Sequence, residues 1–131
     1  MDNVYEKSYE IPKALFTMEL YRDMSIKAKM LYGLLLDRMK RDIEAGTAKR
    51  DEEGYLYITF PQKEVKQILQ IEAQTTSKIF RELEERYLIG RVRIGMGNPD
   101  QIYVQELIGD TWTNDFQEAI DNARTDDEGE T

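Results

Sequence analysis

Histidine and cysteine are both missing from the 131 residues of this chain. Without cysteine there is no disulfide framework and no thiolate zinc site. Without histidine the chain lacks the commonest general base and the commonest metal ligand. Long apolar runs are missing too. The longest, Met30 to Leu36, has seven residues counting Gly33, against about 20 for a membrane-spanning helix. No apolar stretch follows the acidic start Met1-Asp2-Asn3, so no signal peptide is expected. There is no phosphate-binding Gly-Lys-Ser/Thr loop, and Gly95-Met96-Gly97 joins two strand-like runs instead of opening a helix. No catalysis, cofactor or metal is therefore expected, and the chain reads as soluble and cytoplasmic, with no membrane partner.

What is present suffices for one domain and a tail. Forty per cent hydrophobic residues, with eight Tyr, four Phe and one Trp, can build a core. The net charge of −8 is unevenly spread. Residues 1–109 hold 17 Lys and Arg against 18 Asp and Glu, whereas residues 110–131 hold one against eight. The body is balanced, and the acidity belongs to the tail. A low isoelectric point thus gives no argument against a nucleic-acid partner. Residues 1–109 are expected to form the domain and 110–131 an acidic C-terminal tail, partly disordered. That tail either competes with an anionic partner for the body or is a passive linker remnant.

Along the chain, Tyr9 to Phe16 alternates briefly around Pro12 and reads as a short edge strand or an extended arm. Ser25 is a suitable N-cap for a long helix that Gly46 ends. Ile26, Met30, Leu31, Leu34, Leu35, Leu36, Met39 and Ile43 cover more than one of its faces. This predicts a central helix buried on two sides, with a second subunit as an alternative occupant of one of them. Asp51-Glu52-Glu53-Gly54 reads as a solvated turn in preference to a metal site. Tyr55 to Phe60 alternates with period two and predicts a strand, with Leu56, Ile58 and Phe60 on one face. From Gln62 the pattern becomes helix (Val65, Ile68 and Leu69 inward), a turn at Gln70-Ile71-Glu72, and a second helix over Ala73 to Tyr87. The inward stripe of that second helix is Thr76, Ile79, Phe80, Leu83 and Tyr87. Two alternating runs, Ile89 to Ile94 and Gln101 to Gln105, follow around the loop Gly95 to Asp100. The layout predicts an α+β fold, a winged helix-turn-helix with a small antiparallel sheet. Tyr55 to Phe60 would be the third strand. After Gly109, Trp112, Phe116 and Ile120 are spaced to form a short amphipathic helix, and Thr125 to Thr131 is expected to be disordered.

A reading helix offers a polar face to base edges and phosphates. Opposite Ile79, Phe80 and Leu83 lie Gln74, Lys78, Arg81 and Glu85, flanked by Thr75 and Ser77. Gln can pair with adenine in two hydrogen bonds, while Ser, Thr and Lys suit bases or phosphates. Glu82, Glu84 and Glu85 crowd the other end, which is expected to point away from DNA. In the hairpin, Arg91 and Arg93 sit two apart and are expected to project to one side. The loop carrying Asn98 can bring backbone near a phosphate or the minor groove.

Three blocks carry a family resemblance: Ile11-Pro12-Lys13-Ala14-Leu15-Phe16, the helix Ala28 to Met39 with its Tyr32-Gly33-Leu34, and Gly95-Met96-Gly97-Asn98-Pro99-Asp100-Gln101-Ile102-Tyr103-Val104. In order and spacing they resemble the N-terminal domain of the replication initiator A family of Gram-positive plasmids, over about Tyr5 to Leu107. The resemblance implies a winged helix that binds repeated origin sites in double-stranded DNA as a homodimer, with replication-machinery proteins as further partners. It places Ala73 to Tyr87 in the major groove and the wing, Arg91 to Gln101, on the backbone. Relatives usually carry more basic wings; here Met96 and Asp100 dilute the charge. The expected DNA-binding residues are Gln74, Thr75, Ser77, Lys78, Arg81, Arg91, Arg93 and Asn98. The function expected is sequence-specific binding by an initiator of a plasmid or integrated element. A winged-helix transcriptional regulator and a protein-interaction module without DNA binding are the alternatives.

Overall fold

The computed structural model describes residues 7–108 and 111–112, with side chains over residues 7–106. Its first helix, α1 (Ala14–Thr17), replaces the strand or arm expected around Pro12. The fixed φ of Pro12 suits a helical start, and its carbonyl accepts from the Leu15 N–H at 3.1 Å. Leu15 is thereby turned into the core while Phe16 stays half in solvent.

Helix α2 (Ile26–Ala45) begins and ends where its caps predict. The Ser25 hydroxyl accepts from the Ala28 N–H at 3.2 Å, and Gly46 closes the helix in the left-handed region at φ 73°. Leu31 through Leu36 are all buried, so this segment is enclosed as its composition predicts. At Gly33 the N-terminal segment crosses so closely that a Cβ would meet Ile11 Cγ1 at 3.0 Å and the Glu10 carbonyl oxygen at 3.3 Å. Ile26, Met30 and Ile43 instead face solvent.

A hairpin of β1 (Lys49–Arg50) and β2 (Leu56–Tyr57) follows, antiparallel, with Arg50 opposite Leu56. Its turn is organised by Asp51. One carboxylate oxygen accepts from the Glu53 and Tyr55 N–H groups, each at 2.9 Å, and the other from the Tyr103 hydroxyl at 2.7 Å. The acidic cluster is thus a turn, as expected, but one with a structural carboxylate at its centre. Burial, together with this hydrogen bond, raises the Tyr103 phenol well above its ordinary range.

Helices α3 (Gln62–Leu69) and α4 (Ala73–Glu85) form the helix-turn-helix. Val65 is fully buried and Leu69 partly so, but Ile68, expected inward, is exposed. The wing is the antiparallel pair β3 (Ile89–Val92) and β4 (Gln101–Val104), in register at Arg91 and Ile102. Ile58 joins this pair through reciprocal N–H to carbonyl bonds with Ile102, both 2.8 Å. The expected third strand is thus reduced to a bridge: Leu56 and Tyr57 pair with β1, only Ile58 reaches the wing, and the wing sheet keeps its two strands β3 and β4. Ile58 and Phe60 enter the same core as Leu31, Leu34, Leu35, Ile79, Phe80 and Leu83. The Tyr32 hydroxyl donates to the Gln105 carbonyl and ties α2 to the end of the wing.

Strands β5 (Leu107–Ile108) and β6 (Thr111–Trp112) form a last antiparallel ladder. Trp112 is in that ladder and does not begin a helix. Phe116, Ile120 and the expected disorder of Thr125 to Thr131 lie outside the described residues.

Candidate nucleic-acid interface

Helix α4 is amphipathic in the required sense. Thr76, Ile79, Phe80 and Leu83 are buried, and the hydroxyl of Thr76 donates to the Glu72 carbonyl at 3.0 Å. The opposite side presents Gln74, Lys78 and Arg81 to solvent, with Thr75 half-buried beside them. Among the described residues no ion pair involves Lys78 or Arg81, so both charges are available to an anion. Ser77 is half-buried, and its hydroxyl donates to Gln62 Oε1 at 3.1 Å, pinning the start of α3 to α4.

The helix ends earlier than its apolar stripe predicts. Arg86 caps it, and Tyr87, expected inward, turns out to be 56% exposed with φ 60°. The Leu88 N–H bonding back to the Leu83 carbonyl at 3.0 Å requires that left-handed residue, which throws the tyrosine ring outward.

Of the acids in the second half of α4, Glu82 and Glu84 have structural partners, while Glu85 is exposed. Glu82 accepts from both the Ser25 N–H at 3.0 Å and the Ser25 hydroxyl at 2.6 Å, holding the start of α2. Arg86 donates to Asp23 at 2.7 Å and also to the Leu20 carbonyl. That hydrogen bond holds the Asp23 carboxyl below its usual range and raises Arg86. Glu84 takes the guanidinium of Arg91, with Nε at 3.0 Å.

This last contact corrects the expectation of a paired arginine face on the wing. Arg91 lies in β3, only 18% exposed at the side chain, with its guanidinium 4.9 Å from the centre of the Phe80 ring. Arg93 stands just beyond the strand end, exposed and in no ion pair among the described residues. The two arginines therefore do different things. Arg91 straps the wing to α4, and Arg93 remains for a partner. The carboxylate seven residues earlier, across a helix end and a turn, is a long-range partner that strand periodicity does not reveal.

The wing tip is a tight turn. The Asn98 N–H donates to the Gly95 carbonyl at 3.0 Å, and the two residues between them, Met96 and Gly97, have φ 54° and 80°. Two positive φ values make this the type I′ geometry of a two-residue hairpin. Asn98 is exposed. A cleft of about 300 Å³ separates tip from helices, lined by Pro61, Gln62, Phe80, Arg91, Gly97 and Asn98 among others. Gln62 thus touches α4 and lines the cleft beneath the wing tip, a position absent from the expected contact residues. The signal was its place in the first turn of the first helix of the motif, which lies across the DNA backbone in such folds.

The sequence profile of the replication initiator protein A (RepA) N-terminus family matches residues 7–118. The chain belongs to that family. Its fold is also that of solved structures. One, described as the N-terminal domain of a DNA binding protein, is 27% identical, with 96% of this chain and 95% of that one covered and a TM-score of 0.65. Another, described as the structure of a Rep-DNA complex, is 27% identical over 96% of each chain, with a TM-score of 0.66. A third, the structure of an MDR initiator, is 27% identical over 95% of this chain and 98% of that one, with a TM-score of 0.62. Comparison with curated proteins gave no match. Family and fold together make this chain a DNA-binding replication-initiator domain with a winged-helix architecture. No helix of the described residues is long and apolar enough to cross a membrane.

Proposed function

We propose that this RepA N-terminal domain recognises repeated sites in the double-stranded origin of a plasmid or integrated element, in the cytoplasm, without catalysing a reaction. The carrying observation is the division of labour along α4. Gln74, Lys78 and Arg81 are exposed in its forward part, while Glu82 and Glu84 are drawn aside by Ser25 and Arg91. A helix so arranged enters the major groove without presenting those two carboxylates to phosphate. Thr75 sits at the margin of the contact. Arg93 and Asn98 meet the neighbouring backbone or minor groove, and Ser77 acts by fixing Gln62. Arg91 supports the wing and is not assigned a phosphate.

A homodimer fits the apolar surface left uncovered. Ile26 is 68% exposed at the start of α2 and Met30 lies one turn on, with Phe16 and Leu20 also exposed. Two copies would present two reading helices to two repeats. Replication proteins are the further partners of this reading.

Selection from a random duplex pool with the purified chain, followed by binding of the selected sequence, tests the proposal. Lys78→Ala is expected to weaken the selected site by about 1–3 kcal/mol if Lys78 contacts a base. No enrichment, with a folded protein, would sink the reading and leave a protein-interaction module. Light scattering at micromolar concentration, with and without the duplex, tests the dimer, and a monomer in both would refute it.

A further inference from the structure

Met96 is fully exposed, 100% by area, at the outermost point of the wing. Its backbone is left-handed, at φ 54°, a conformation that costs a residue with a Cβ and suits Gly or Asn. The fold has a use for the turn but none for the side chain. Glycine neighbours with open space around them flank it on both sides. An unbranched apolar side chain therefore stands alone on a tight turn, in a strained backbone, with nothing to touch among the described residues.

Resting on the duplex-binding reading above, we propose that Met96 is an apolar wedge which the wing carries into the minor groove, prising one base step partly open and bending the DNA. Three observations converge on this occupant. First, the tip lies on the correct side. Gly97 and Asn98 line a cleft together with Gln62, and Gln62 is bonded to Ser77 of the reading helix. The wing therefore comes down beside the groove that α4 enters. Second, the tip is thin. Of Gly95, Met96 and Gly97 only one has a side chain, which suits a groove about 6 Å wide. Third, the chemistry is that of a wedge and not of a phosphate contact. Met96 has no charge and no hydrogen-bond donor, and a flexible thioether fits between base edges, as the inserted Met, Leu and Phe residues of minor-groove binders do. Exposed Arg93 is available for the phosphates at the groove wall. The low positive charge of this wing is thereby accounted for: the tip works by shape, and it favours duplexes with an easily opened pyrimidine–purine step.

The test uses the full chain and a 30-base-pair duplex recovered by selection with it, labelled at both ends for energy transfer. Met96→Gly and Met96→Asn remove the wedge while relieving the backbone, so the thermal midpoint should hold or rise. Binding should weaken about tenfold, and the protein-induced change in energy transfer should shrink by at least half. The slope of log affinity against log salt should not change, because no phosphate contact is lost. Met96→Leu should restore both affinity and bend. If the wild type binds and bends the duplex and the Gly and Asn variants do the same, the wedge is wrong and DNA binding stands. A weakened variant with a shallower salt slope also overturns it, since Met96 would then be positioning phosphate contacts. If the wild type recovers no duplex at all, the duplex-binding reading fails, and the wedge with it.

Discussion

Replacing Arg91 and Arg93 one at a time separates a structural arginine from the one proposed to face DNA. The Arg91–Glu84 pair is mostly out of water, at 18% and 23% side-chain exposure. It therefore falls between an exposed pair, worth about 0–1 kcal/mol, and a buried pair whose disruption costs about 3–5 kcal/mol. An intermediate cost of about 2 kcal/mol is expected. Loss of the cation from the Phe80 face adds roughly 0.5–1 kcal/mol. For a domain of this size each kcal/mol lowers the thermal midpoint by about 4–8 °C, so Arg91→Ala should lose roughly 10–24 °C. Arg93 makes no ion pair among the described residues, and Arg93→Ala should leave the midpoint nearly unchanged. In duplex-binding titrations over a salt series the order reverses. Arg93→Ala should reduce the slope of log affinity against log salt by about 0.9, while Arg91→Ala, measured well below its melting point, should retain the wild-type slope. A cycle with Glu84→Ala should show the Arg91 effect largely absent once Glu84 is gone. A stable Arg91→Ala protein with a reduced salt slope would refute the strap and restore the arginine to the DNA surface.

Asp51→Ala removes the acceptor of two backbone N–H groups and of the Tyr103 hydroxyl, and a loss of about 2–3 kcal/mol is expected in denaturant titration; a midpoint equal to wild type would show the turn holds itself. Gly33→Leu cannot be fitted beneath Ile11 and the Glu10 carbonyl, so overpacking should cost about 1–3 kcal/mol and speed protease cleavage near residues 8–12; an unchanged digestion pattern would argue against the close crossing. Stability should be flat from about pH 6 to pH 9, a range in which only histidine and cysteine side chains would ordinarily titrate and this chain has neither. On the alkaline side, burial pushes Tyr21 up to about 12 and lifts Tyr103 as well. Their contribution is full below the ordinary tyrosine value of about 10 and is lost as pH climbs through the raised values. On the acid side, Arg86 depresses Asp23, whose contribution is present above about pH 4 and is lost as pH falls through the lowered value. A midpoint that drifts between pH 6 and pH 8 in scanning fluorimetry would contradict this.

Local chemistry made much of the fold legible. Ser25 and Gly46 bracket α2, the 3.6-residue stripe defines α4, and the glycine-rich loop between alternating runs defines the wing. The misses share a cause, dependence on partners remote in sequence or on backbone strain. Lys49–Arg50 is too short and too polar to show alternation, and it becomes a strand only through Leu56 and Tyr57. Tyr87 has the right spacing for the apolar stripe but falls on the left-handed residue that ends the helix. On the candidate interface, Gln74, Lys78 and Arg81 are exposed as their wheel position indicates. Arg91 has the right residue type at the right spacing, yet Glu84 claims it. Periodicity tells which way a side chain starts out; it does not tell what is waiting there.

The bonds from Glu82 to Ser25 and from Arg86 to Asp23 clasp the second half of α4 to the segment that opens α2, while the Ser77–Gln62 bond holds its first half. A helix fastened along both halves has little rocking freedom left to surrender on reaching a groove. In the docking proposed above, the entropy lost is confined to exposed side chains such as Gln74, Lys78 and Arg81, at about 0.5–1.5 kcal/mol for each one immobilised. The same fastening removes tolerance. On that proposal, a base pair that offers its donors and acceptors in the wrong place would not be accommodated by tilting α4, because tilting it would break the Glu82 contact to the α2 cap residue Ser25.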